Sequence, residues 1–210
     1  FRARLSGGGG PDAGEVLRTL ADVTPLAGAG PVAALVREVV EPRPELAGPA
    51  ADYVDRCLDR GPAARPVLLP LVTALLDDGP KEVRAALATV LADPGAPASR
   101  PLRRELLDLL LTKEREPAVL DAVLYAAAPH GDGREAELRA LVHRTGLLLV
   151  RTPDGATRFD CALVDLARHA PGFAARMARW LGEAPDDWAA VVGPSAHRMI
   201  DSLAGVRVPA

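Results

Sequence analysis

The sequence predicts a mainly α-helical protein of stacked antiparallel helical hairpins, with one short β-hairpin near residues 147–159. Three observations carry this. Apolar residues recur at helical spacing along most of the chain. Aromatic residues make up only 3% against 49% apolar, so the core must come from Leu, Val and Ala, which suit helix packing better than a β-sandwich. Apolar positions also realign at offsets of 35 and 36 residues.

Taken in order, residues 1–11, FRARLSGGGGP, read as a flexible linker or terminus, because four glycines carry a high cost in backbone entropy. A phosphate loop is excluded there, since no GxxxxGK[ST] spacing occurs and no strand leads in. From Asp12 onward, helical patterns alternate with Gly/Pro breaks. Val16, Leu17 and Leu20 share one face; Val32, Leu35, Val36, Val39 and Val40 share the next, opened by Pro31. ADYVDRCLDRG aligns Tyr53, Val54, Cys57 and Leu58 and ends at Gly61. Residues 62–76 continue helical, with Pro66 and Pro70 expected to shorten or kink the pattern. Val83, Leu87, Val90 and Leu91 form a stripe after Pro80. PLRRELLDLLL supplies Leu102, Leu106, Leu109 and Leu110, and PAVLDAVLYAAA supplies Val119, Leu120, Val123, Leu124 and Ala127.

The realignment pairs Val72 and Leu75 with Leu107 and Leu110, Val83 and Leu87 with Val119 and Val123, and Val36 and Val40 with Leu71 and Leu75. A unit of two helices cannot bury its apolar side alone, so such units stack. Over residues 12–145 this pattern resembles a degenerate HEAT or armadillo-like α-solenoid. Tetratricopeptide landmarks and an ankyrin TPLH are missing. An irregular α-bundle with coincident lengths is the alternative.

The helix REAELRALVHRTG is expected to stop at Gly146, with Leu147–Val150 and Thr157–Phe159 as arms of a hairpin turned by TPDG. A hairpin directly after a helix is similar to the wing of a winged-helix domain, which would span residues 101–160. That resemblance implies nucleic-acid contacts by Arg134, Arg139, Arg144, Arg151 and Arg158. Five acidic residues balance those five arginines over residues 131–160, which disfavours phosphate binding. The more ordinary role of the hairpin is to cover helix ends.

Residues 146–210 are therefore read as hairpin plus capping helices, packed with the repeats. Leu163, Leu166, Ala167 and Ala170 form one stripe, with Asp160 as N-cap. Phe173, Met177, Trp180 and Leu181 form another, and Trp188 and a last helix with Met199, Ile200 and Leu203 follow, Ser195 capping the latter. The aromatics either close the core or anchor a partner. On the second reading the contact residues are Arg151, Arg158, Phe173, Arg176, Arg179, Trp180, Trp188 and Arg198.

Formal net charge is −3, without the basic field that generic nucleic-acid binding favours, although a local basic face stays open. Cys57 and Cys161 read as reduced core residues, with a disulfide or reactive thiol as the alternative. No apolar run reaches the roughly 18 residues needed to span a membrane. Basic residues are Arg except Lys81 and Lys113, and with abundant Ala, Gly and Pro the composition resembles that of a high-GC genome. The first residue is Phe1, which suggests a piece of a longer polypeptide.

No HExxH, CxxC pair or GxSxG occurs, and Ser195 and His197 are two apart, pointing different ways on a helix. Asp77-Asp78 and Asp186-Asp187 read as solvated turn and cap groups. The expected function is a non-catalytic, cytoplasmic interaction or regulatory module, with a winged-helix-like nucleic-acid-binding domain, or an enzyme on an unrecognised helical scaffold, as the alternatives. It would act on a protein partner or adjoining domain, with no metal or cofactor and no membrane insertion.

Overall fold

The computed structural model describes residues 13–25, 29–130 and 134–205; the expected linker at 1–11 lies outside them. Among the described residues there are twelve α-helices and no strand. The chain divides into two compact units, one up to Glu114 and one from Arg115.

The first unit holds α1 Ala13–Val23, α2 Ala29–Val40, α3 Ala47–Leu58, α4 Arg65–Asp78, α5 Lys81–Ala92 and α6 Arg100–Lys113. Most of these helices pack mainly on their second neighbours, α1 on α3, α3 on α5 and α2 on α4, while α6 packs on both α4 and its immediate neighbour α5. The fully buried side chains include Leu17, Val36, Leu58, Leu68, Val72, Leu75 and Leu87, so the apolar stripes face one another. Proline punctuates this unit in the manner its chemistry allows. Pro66 and Pro101 lie in first turns, where a missing N–H costs nothing. Pro70 lies inside α4 without ending it, so of the expected shortening or kink, the shortening does not occur at that residue.

Polar links repeat along the first row. Arg18 pairs with Asp52 at 2.9 Å and Arg56 with Asp22 at 2.5 Å, each 34 residues away. Arg60 Nη1 donates to the Thr24 carbonyl oxygen at 2.5 Å. In the second row Arg65 grips Glu105 through two nitrogens, and Lys113 reaches Asp77 at 2.5 Å. These exposed pairs set register more than they add stability, at roughly 0.2–1 kcal/mol each.

The second unit holds α7 Pro117–Ala127, α8 Glu135–Leu149, α9 Gly155–His169, α10 Phe173–Glu183, α11 Pro185–Ala189 and α12 Pro194–Leu203. Here α9 is central, touching α7, α8, α10 and α12. The expected division at 145/146 falls inside α8.

The expected β-hairpin does not exist. Leu147–Leu149 complete α8, and Thr157–Phe159 belong to α9. Leu138, Val142, Thr145 and Leu149 are buried at steps of four, three and four residues, which is helical spacing carried through the supposed strand. Gly146 is a notch rather than a stop. A Cβ there would lie 2.6 Å from the Phe159 ring, so the missing side chain lets α9 pack close to α8. The TPDG turn joins two helices, and its left-handed residue is Asp154, at φ 55°, instead of Gly155. Without a wing at 147–160, the winged-helix reading loses the element that suggested it.

Two expected caps also move. Asp160 lies within α9 and accepts from the Gly193 N–H at 2.9 Å, tying α9 to the start of α12. The N-cap of α12 is Gly193, while Ser195 Oγ accepts from Arg198 at 3.4 Å. The α9 stripe is Phe159, Ala162, Leu163 and Leu166, one turn earlier than expected.

Candidate functional site

An open concavity lies in the second unit, where α8 faces α11. Ala136, Arg139, Ala140 and His143 on α8, with Asp187 and Trp188 on α11, line an open cleft of about 230 Å³. It exists because Ala136 and Ala140, one turn apart, leave the space above them unfilled. The aromatic side is fixed from beneath. Trp188 stacks on Trp180 with centroids 6.2 Å apart and planes 9° from parallel, and Trp180 meets Phe173 edge-on at 6.3 Å. His143 stands edge-on to Trp188 at 5.0 Å.

His143 Nε2 is 3.2 Å from the Asp187 carbonyl oxygen. A carbonyl only accepts, so Nε2 carries the hydrogen and, in the neutral ring, Nδ1 is the acceptor. Arg139 Nη1 donates to Glu183 at 2.8 Å, and Glu183 is 4.0 Å from Arg179 Nε. Arg179 also pairs with Glu135, whose Oε1 accepts from Trp180 Nε1 at 2.7 Å. The lining thus offers a guanidinium, an imidazole and a carboxylate around two alanines. That set can hydrogen-bond a ligand or a partner side chain, but includes no thiol, hydroxyl or lysine nucleophile.

Glu135 carries the polar half of this arrangement. Glu135→Ala is expected to lose about 1–2 kcal/mol, because the indole N–H of a buried tryptophan is left without its acceptor. Glu135→Gln keeps an oxygen there and should lose less than about 1 kcal/mol. Urea unfolding followed by fluorescence of the two tryptophans checks this; equal losses in both variants would contradict it.

Of the expected contact residues, Phe173, Trp180, Trp188 and Arg179 come together, but around the core of this unit and not on an exposed face. Phe173, Trp180 and Trp188 are buried, forming the core of this unit, so they are not exposed anchors. Three of the arginines hold helices in place: Arg158 pairs with Asp121 at 2.5 Å, Arg176 donates to the Ala128 carbonyl at 2.9 Å, and Arg179 joins the network above. Arg151 and Arg198 are exposed, away from the cleft lining. Of the five arginines assigned to nucleic acid, Arg134, Arg139 and Arg158 also pair with carboxylates. Cys57 is buried and Cys161 exposed, and both are free thiols. Burial raises the Cys57 thiol above its ordinary range.

A second polar seam joins α7 and α9. Tyr125 donates to Asp165 at 3.0 Å, and His169 Nδ1 lies 3.1 Å from the same carboxylate. Burial, then Asp165, pushes the Tyr125 hydroxyl up to about 12. Asp121 Oδ1 is buried without a hydrogen-bond partner, and burial raises this carboxyl above its usual value despite the opposing pull of Arg158. A raised native-state pKa stabilises the fold below the unfolded value, a contribution lost as pH rises through the native one. The stability of wild type minus that of Asp121→Asn should therefore decrease with rising pH, starting from the ordinary carboxylate range. Urea midpoints between about pH 3 and 7 test this, and an increase would overturn it.

No group of three His, Cys, Asp or Glu side chains suited to a metal occurs among the described residues. No helix among them is long and apolar enough to cross a membrane. Comparison with protein families, curated proteins and solved structures finds no significant match to this chain.

Proposed function

We propose that this chain is a non-catalytic protein-interaction or regulatory module of a larger protein, holding a protein partner or an adjoining domain in place. The observation that carries the reading is the first unit's packing of most helices on their second neighbours, with ion pairs joining positions 34 residues apart. Stacked helical hairpins of the HEAT-like kind leave long helix faces available to a partner. The reading is also supported by the cleft's chemistry, which provides hydrogen-bonding groups around a shallow apolar floor and suits recognition.

The mechanism is steric and electrostatic. Exposed Arg151 and Arg198 pair with acidic groups of the partner, while Arg158 holds α9 to α7 and Arg179 holds α10 to α8. In the test, the purified chain captures partners from an extract of its own host, and a partner is then purified and titrated. The double variant Arg151→Glu, Arg198→Glu is expected to bind about tenfold or more weakly, with its thermal midpoint unchanged. Equal affinity would remove the arginines from the interface. Duplex-DNA binding that falls steeply with salt, with no protein partner captured, would overturn the proposal.

A further inference from the structure

No further inference is drawn: the strongest candidate outside the cleft, the exposed Met199–Leu203 face of α12, is an unpartnered apolar patch, and nothing in the structure shows what covers it.

Discussion

Replacing Gly155 by alanine is expected to cost about 3 kcal/mol of stability, among the largest effects of any single methyl in this chain. A Cβ built on Gly155 would stand 1.8 Å from the Leu149 carbonyl oxygen and 2.6 Å from both the Leu149 carbonyl carbon and Thr152 Oγ1. The obstacle is backbone, and it is tied down. The Leu149 oxygen accepts from the Thr152 N–H at 2.8 Å and from the Thr152 hydroxyl at 2.7 Å, and Gly155 N–H itself donates to the Thr152 carbonyl at 3.1 Å. Relief would mean opening the corner between α8 and α9, which would pull Phe159 out of its place over Gly146. Gly182 provides the control. It lies inside α10 with nothing within 4 Å of its would-be Cβ, so Gly182→Ala should leave stability unchanged or raise it by up to about 1 kcal/mol. Urea unfolding of the two variants decides the matter. A Gly155→Ala protein within about 0.5 kcal/mol of wild type would show that the corner has room to move.

Arg103→Met is the second substitution of large expected effect, at about 3 kcal/mol. Arg103 lies on α6 with its side chain only 5% exposed, and it ties three helices together. Nη1 donates to the Val90 carbonyl of α5 at 2.6 Å, Nη2 pairs with Asp55 of α3, and Nε donates to Ser99 at 3.1 Å. Gly95, at φ 54°, lets the chain pass against the guanidinium; a Cβ there would fall 2.2 Å from Nε. The carboxylates are not the costly part. Asp55 and Asp59 are 44% and 58% exposed, so water serves them once the arginine is gone. The loss comes from the Val90 carbonyl and the fully buried Ser99, whose hydrogen-bond partner methionine cannot replace. Arg103→Lys should recover little, since one ammonium cannot reach all the acceptors that the planar guanidinium fork spans. Arg100→Met, at an exposed position in the first turn of the same helix, is expected to change stability by less than about 0.5 kcal/mol. Similar losses at 100 and 103 would refute the claim that burial and bridging set the cost.

Both positions mark where reading residues in a line runs out. Arg103 sits between Leu102 and Leu106 and looks like one more solvated charge beside a leucine stripe. Its burial depends on Asp55, 48 residues away, and on the left-handed turn at Gly95. Gly155 looks like a hairpin glycine because TPDG is good turn chemistry; the turn is real, but helices flank it on both sides. The run Leu147–Val150 was ambiguous by composition, since four apolar residues suit a strand as well as a buried helix end. The spacing from Leu138 and Val142 continues through Gly146 to Leu149, because that glycine makes room for Phe159 and does not end the helix.

The aromatics teach the same lesson. Phe173, Met177 and Trp180 were recognisable as one stripe from their spacing, yet whether a stripe meets solvent or another helix is not written in its own period. The Glu135–Arg179 and Arg139–Glu183 pairs, each 44 residues apart, needed α8 and α10 to be placed side by side before their opposite charge order became meaningful.

By itself, the sequence determined that this protein is helical, where most helices begin, and which face of most of them is apolar. Those properties follow from local sterics and from a period of 3.6 residues, both of which act within a few positions of each residue. Only the tertiary structure decided that Gly146 is a packing notch, that Arg103 is an internal brace, that the three aromatics are core, and that Ala136 and Ala140 open a cleft. In each case the deciding atoms belong to a different helix, and short-range pattern carries no information about which helix that will be.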